Sequence, residues 1–301
     1  MRRIAAVLTV LVCLVCLAGS VFASELPQVR GYDNQAESDY QYLLFGTYPY
    51  EEDGTEKPVL WRILGRDGDR ITLFTEYIID AHQITEIDNY QKSINHKYKK
   101  NIAFEESDLF AWVNGTMTER LLKAEAARDA LVEDHGGLFH IMSDEELMNT
   151  VWGFPDSVNG TSKENPNEVI APLAKNRMGF GTPWAKAYVP YEKWGSRKNK
   201  LYQDYRYNGT VAYWGTRLRP QLARIVGANG HLSWSGFGNV QIGIRPAMVL
   251  DLGKLQLTGG TGTLEDPWQV GPAGGTEMAE QELPAESEPA EEATASEEGG
   301  L

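Results

Sequence analysis

An arginine set inside an apolar strand is the feature that most narrows what this chain can fold into. "GIRPAMVLDL", residues 243–252, places Arg245 among residues that belong in a core, and Pro246 forces an extended backbone at Arg245. Burying a guanidinium group without partners is costly, so any fold that takes this strand inside must bring oxygen acceptors to it from elsewhere in the chain. "YWGTRLRP", residues 213–220, poses the same problem with Arg217 and Arg219, which share one face of an extended segment. Two roles fit such residues. The planar five-donor fork can tie loop carbonyls to a sheet, or it can line a pocket for an anionic or sugar ligand beside aromatic rings. Arg245 is read as an internal tie. For Arg217 and Arg219 both readings stand, the pocket being completed by Tyr213, Trp214, His231 and Trp234.

Residues 1–23 stand apart from the fold. Arg2 and Arg3 precede the apolar run "IAAVLTVLVCLVCLA", and Gly19, Ser20 and Ala23 provide the small residues of a cleavage site before Ser24. The pattern reads as a bacterial export signal, with an uncleaved membrane anchor as the alternative. Val12 and Val15 precede Cys13 and Cys16, where a lipid-attachment signal needs small residues. Both cysteines lie in this segment, so the mature chain carries no disulfide, thiol nucleophile or cysteine-based zinc site. The expected location is secreted or extracytoplasmic, or membrane-tethered if the signal is retained. After cleavage no stable membrane insertion is expected.

Charge divides the rest. Residues 271–301 hold nine glutamates and no basic residue, a composition too poor in apolar side chains to fold, and read as a solvated acidic tail. Setting aside those glutamates and the two signal arginines leaves 33 acidic against 26 basic residues. A mildly acidic body argues against nucleic-acid and anionic-membrane partners. The expected partition is a signal peptide at 1–23, a linker at 24–32, one domain at 33–270 and the tail.

Within the domain, "YQYLLFGTYPY", "PVLWRILG" and "ITLFTEYIID" carry the aromatic and β-branched residues of strands around turn-forming "EEDGTEKP" and "RDGDR", predicting a three-stranded meander over 41–80. A short helix at "ESDLFAWVNG" with a cap at Ser107 or Asp108 follows. "TMTERLLKAEAARDALVEDHGG" predicts a long helix capped at Thr118 and stopped at Gly136 and Gly137. "LFHIM" is a short strand, and Ser143 with Glu146 has capping-box spacing for a helix ending at Gly153. Residues 155–176 have no pattern of their own. "TPWAKAYV" can start a helix at Pro183, and from Thr210 onward alternation returns, with Asn229-Gly230 a hairpin turn. The Asn114, Asn159 and Asn208 sequons read as turn residues. Strands at both ends around a few helices predict a single α+β domain with a mixed, mainly antiparallel sheet.

The strings "PVLWRILGRDGDRITLFTEYIIDAH", "SDLFAWVNG", "LFHIMSDEEL", "YWGTRLRP" and "IGIRPAMVLDL" fall in an order that resembles a bacterial extracytoplasmic domain family of unknown function, over about Tyr42 to Val270. Phe110 and Ala111 stand where that family carries arginine before Trp112, and Gly215 and Thr216 interrupt its tryptophan-leucine-arginine step. The family is distantly similar to the C-type-lectin and formylglycine-generating-enzyme superfamily. The resemblance implies a lectin-like fold with its ligand site near the C-terminal strands. Trp61, Trp112 and Arg245 are read as structural.

The residues themselves offer no catalytic constellation. Copper chemistry of the formylglycine-generating kind needs cysteines, and "ENPNEV", residues 164–169, has the wrong order for a calcium-dependent lectin. Asp144, Glu145 and Glu146 read as first-turn acids of a helix. The histidines at 82, 96, 135, 140 and 231 show no helical pairing, so neither a metal nor a cofactor is expected. The leading expectation is an exported, non-catalytic recognition domain for a glycan or another cell-surface ligand, supported by Trp184, Trp194, Trp214 and Trp234. A hydrolase of glycan or cell-wall substrates is the rival.

Overall fold

The protein is described by a computed structural model over residues 28–33, 40–82, 104–158, 172–188, 212–214, 223–226, 230–235 and 242–273. It is an α+β arrangement with a mainly antiparallel sheet and a few short helices. The meander forms as the alternation predicts: β1 (Gln41–Pro49), β2 (Glu56–Asp67) and β3 (Arg70–Thr75) pair in sequence order. Gly68, at φ 59°, supplies the left-handed residue that the tight β2–β3 loop demands. The expected third strand is shorter than its apolar run. Glu76 and Tyr77 bend the chain, and β4 (Asp80–His82) leaves the main sheet to pair with β10 (Ile242–Ile244).

The long helix expected after residue 116 is broken. α1 (Asp108–Trp112) is capped by the Ser107 side chain, which accepts from the Phe110 amide, and it runs through a π-helical stretch, Val113–Met117, into α2 (Thr118–Leu121). Leu109, Val113, Met117 and Leu121 are buried at every fourth position. At 3.6 residues per turn that spacing drifts by about 40° per step, and the wider π turn returns the four side chains to one face. Leu122 is buried as well. The chain leaves helical geometry at Leu122, φ −115° and ψ 77°, before α3 (Glu125–Asp129). Packing here overrides strong helix formers. Thr118 is not a cap, because its hydroxyl donates to the Val113 carbonyl inside the helix.

β5 (Leu131–Val132) and β6 (Phe139–Ile141) both pair with β11 (Pro246–Asp251), which lies beside β3. α4 (Pro183–Tyr188) starts at the proline as expected, with Thr182 accepting from the Ala185 amide. β7 (Ala212–Trp214), β8 (Ala223–Val226) and β9 (Leu232–Ser235) form a separate antiparallel sheet. β12 (Leu255–Gly259) and β13 (Trp268–Pro272) close the main sheet, β13 running parallel to β1 with Leu43 opposite Trp268. The main sheet order is β12-β13-β1-β2-β3-β11-β5, with β6 also on β11. Among the described residues no helix is long and apolar enough to cross a membrane.

Both expected domain edges shift outward. Val29, assigned to the linker, is buried in the core, and its carbonyl accepts from Arg66. At the other end β13 continues to Pro272, and the Ala273 amide reaches the Lys254 carbonyl. The expected signal, residues 1–23, and the expected tail beyond Ala273 lie outside the described residues. Trp61 is fully buried, donates to the Phe45 carbonyl at 2.8 Å and stacks on Phe139. Trp112 is half-buried and stacks on His82 at 4.5 Å.

Arg245 is fully buried and makes the ties its sequence context demands. Nε and Nη2 donate to the Thr75 carbonyl at 2.9 and 2.7 Å, Nη1 donates to the Arg177 and Met178 carbonyls at 3.1 and 2.9 Å, and the guanidinium lies over the Phe74 ring at 4.0 Å. Desolvation, and then the Arg62 charge, pull its pKa below the usual guanidinium value. Gly179 makes this possible, since a Cβ there would sit 2.6 Å from Arg245 Cδ. Two further arginines join. Arg62 pairs with Glu76 and donates to the Asn176 carbonyl, while buried Arg177 donates to the carbonyls of Leu147, Pro155, Ser157 and Gly230.

Arg245→Ala is therefore expected to cost on the order of 3 kcal/mol in denaturant unfolding, because four hydrogen bonds lose their donor while the carbonyls stay buried. Arg245→Lys is expected to recover only part of that, a single ammonium being unable to serve both Thr75 and the 177–178 carbonyls. Wild-type stability in the alanine variant contradicts the internal tie. Deleting residues 274–301 is expected to leave Tm unchanged within about two degrees, since their composition contributes no core. A larger drop shows that the tail docks.

Candidate functional site

A cleft of about 260 Å³ opens where β1 ends and β2 begins. Tyr48, Pro49 and Tyr50 come from β1 and its turn, Lys57 to Leu60 from β2, and Tyr77 and Ile79 from the bend after β3. Thr182 and the loop residues Leu264 and Glu265 complete it. The bend that cut β3 short is what delivers Tyr77. Gly46 shapes the other wall. It has φ 70° within the β1 register shift between Leu44 and Thr47, and a Cβ there would lie 2.5 Å from Leu121 Cδ2. Only glycine lets the bulged strand press against the helix while turning Tyr48 and Tyr50 toward the cleft.

Tyr50 and Tyr77 meet edge to face at 6.5 Å, and Lys57 Nζ sits 4.5 Å above the Tyr50 ring while pairing with Glu51 at 2.6 Å. Burial raises the Tyr50 pKa, with Lys57 opposing. Beneath the cleft, the Tyr48 hydroxyl donates to Asp80 Oδ2 at 2.5 Å, and the Ala81 amide donates to Asp80 Oδ1. Burial pushes the Asp80 carboxyl above its ordinary range, although the Tyr48 hydrogen bond acts the other way. The Trp184 amide donates to the Tyr50 carbonyl at 2.8 Å, fastening α4 to this edge. Among the described residues the lining holds one carboxylate, Glu265, where glycoside hydrolysis calls for a facing pair.

The sequence-derived pocket is only partly in view. Arg217 and Arg219 lie outside the described residues, as does Trp194. The backbones of Tyr213 and Trp214 lie in β7 and that of Trp234 in β9. Register sets Trp214 opposite Arg224 and Arg224 opposite Trp234, so the two tryptophan positions share one row across the small sheet with an arginine position between them. Arg224 had no signal of its own in the sequence. His231 is half-exposed, beside Gly230 at φ 71° in the β8–β9 connection. The aromatic pair of the Tyr50–Tyr77 cleft is 27 positions apart in sequence and converges only through the meander.

A second polar cluster forms around β6, where the linear spacing of histidines showed nothing. Asp134 and Gly137 exchange backbone hydrogen bonds around His135 at φ 52° and Gly136 at φ 81°, a two-residue turn with positive φ at both central positions. That turn folds His135 back onto His140, their rings 4.5 Å apart. Glu146 reaches both: its Oε1 lies 3.0 Å from His140 Nε2 and 3.3 Å from His135 Nε2. The expected capping box holds, with Ser143 N donating to Glu146 Oε2 at 2.7 Å and Glu146 N to Ser143 Oγ at 3.2 Å. It nucleates only 3₁₀ turns, Glu146–Met148 and Thr150–Trp152, so Glu146 is freed to face the histidines. Burial raises the Glu146 pKa, but the His140 hydrogen bond and charge, with the Ser143 contacts, bring it below the ordinary value. Asn114, read as a turn residue, instead lies in the helix, where its amide grips Phe139 N and O at 3.0 and 2.9 Å and anchors the strand that carries His140.

Comparison with protein-family models, with curated proteins and with solved structures finds nothing that matches this chain.

Proposed function

We propose that this chain is an exported, non-catalytic recognition domain of lectin-like architecture whose cleft between Tyr50, Tyr77 and Lys57 takes a sugar unit of a glycan at the cell surface. The observation that carries the reading is the pairing of two partly buried tyrosine rings with an ammonium group in one concave edge. Aromatic faces offer apolar area to sugar C–H groups, and the tyrosine hydroxyls and Lys57 can direct hydrogen bonds to ring substituents. A volume of about 260 Å³ lies just below the range of sites that enclose drug-sized ligands and suits a small group on an extended chain. The export-like pattern of residues 1–23 and the acidic composition support a ligand outside the cytoplasm and away from nucleic acid. The small sheet, with Trp214, Arg224 and Trp234 at adjacent register positions, is a second candidate surface for a longer chain or a surface protein.

Binding of the mature protein to glycan and peptidoglycan-fragment arrays tests this. Tyr77→Ala is expected to weaken the strongest interaction about tenfold, the scale of one lost aromatic contact, while the protein stays folded with a Tm loss of a few degrees because the ring is only partly buried. Retained affinity in Tyr77→Ala, or no binding to any fragment, contradicts the reading. Turnover of a glycan substrate moves the assignment to a hydrolase.

A further inference from the structure

The stretch "DHGGLFHIMSDEE", residues 134–146, folds so that two histidines and two carboxylates converge from four local structures. His135 comes from the two-residue turn, His140 from β6, Glu146 from the capping box and Asp134 from the end of the hairpin. We propose that Asp134, His135, His140 and Glu146 form a binding site for one divalent transition-metal ion, with zinc as the natural probe.

The spacings support an ion-sized centre. An ion held tetrahedrally by nitrogen and oxygen at about 2.0–2.1 Å sets its donors about 3.3–3.4 Å apart. The donor pairs here lie at 3.0 Å (His140 Nε2 to Glu146 Oε1), 3.3 Å (His135 Nε2 to Glu146 Oε1) and 3.6 Å (His135 Nε2 to Asp134 Oδ2). Ligand atoms of Asp134, His135 and His140 also lie within 4.8 Å of one another. Two imidazoles and two carboxylates neutralise a divalent charge, and a mixed nitrogen and oxygen set selects zinc, copper or nickel over calcium and magnesium.

The ligands are held and reachable. Glu146 Oε2 is committed to the Ser143 amide, which leaves Oε1 aimed at the histidines, and Asp134 Oδ1 accepts from the His135 amide. Burial is graded, His140 side chain 3 % exposed, Glu146 14 %, His135 29 % and Asp134 40 %, so the cluster has a closed floor and an open rim for entry. Buried His140 adds a further observation: its Nδ1 finds no hydrogen-bond partner among the described residues. Its other ring nitrogen, Nε2, faces Glu146 Oε1 at 3.0 Å, inside the cluster.

Zinc titration of the full mature chain without a histidine tag, followed by calorimetry and thermal unfolding, tests the site. One ion per chain and a Tm rise that a chelator reverses are expected. Two variants separate ligand loss from misfolding. Glu146→Gln preserves the capping box, since glutamine serves at that position, and His135→Gly relieves a non-glycine residue at φ 52°. Both are expected to fold with a metal-free Tm close to or above wild type and to bind zinc at least tenfold more weakly. Absence of saturable binding in wild type, or wild-type zinc affinity in both variants, overturns the proposal.

Discussion

Two guanidinium groups hold the backbone of one short segment and a third reaches out from it, and the rest of the molecule is arranged around that fact. Arg62 takes the Asn176 carbonyl, Arg245 takes those of Arg177 and Met178, and Arg177 reaches outward to Leu147, Pro155, Ser157 and Gly230. A chain with no cysteine beyond Cys16 has no disulfide to staple its irregular segments. Arginine supplies the staple by hydrogen bonding, because each planar fork satisfies several carbonyls that would otherwise be buried unpaired. Glu76 is the carboxylate paired with Arg62 in this network, and the Phe74 and Tyr40 rings lie against Arg245 and Arg62.

The cleft depends on that staple. Beyond Met178 the chain runs beside Ile78, whose amide donates to the Phe180 carbonyl and whose carbonyl accepts from Thr182. Thr182 then lines the cleft and caps α4, and the Trp184 amide holds the Tyr50 carbonyl. Arg245 is thus linked to Tyr50 and Tyr77 through a continuous run of backbone hydrogen bonds. The histidine and carboxylate cluster is more independent. It rests on β6, held by β11 and by the Asn114 amide, and on the Ser143–Glu146 box.

What the sequence disclosed followed from local physics. Alternation around Asp-Gly turns marked the meander, a serine before an apolar run marked the α1 cap, and an arginine before proline in an apolar strand marked an internal tie. What it concealed depended on partners far along the chain. The helix expected to run to the glycines at 136 and 137 is broken at Leu122, where Leu121 and Leu122 are both buried in the core, a contact that exists only once the sheet is present. Arg62 and Arg177 look like ordinary polar residues until Asn176 and the 147–157 loop approach them. His135 and His140 have no helical spacing, and their meeting follows from two positive-φ residues in a turn. The cleft tyrosines converge by strand pairing, a non-local event that periodicity does not report.

Native-state hydrogen exchange of the Ile78, Thr182 and Trp184 amides tests most directly whether the arginine staple makes the segment and the sheet one unit. Those amides are bonded to Phe180, Ile78 and Tyr50 respectively. If the account is right, they open with the same free energy as the central β3–β11 amides, through global unfolding alone. Exchange by a separate, lower-energy opening while β3 and β11 stay protected would mean that the segment is a loosely held flap and that the arginines do not organise the fold.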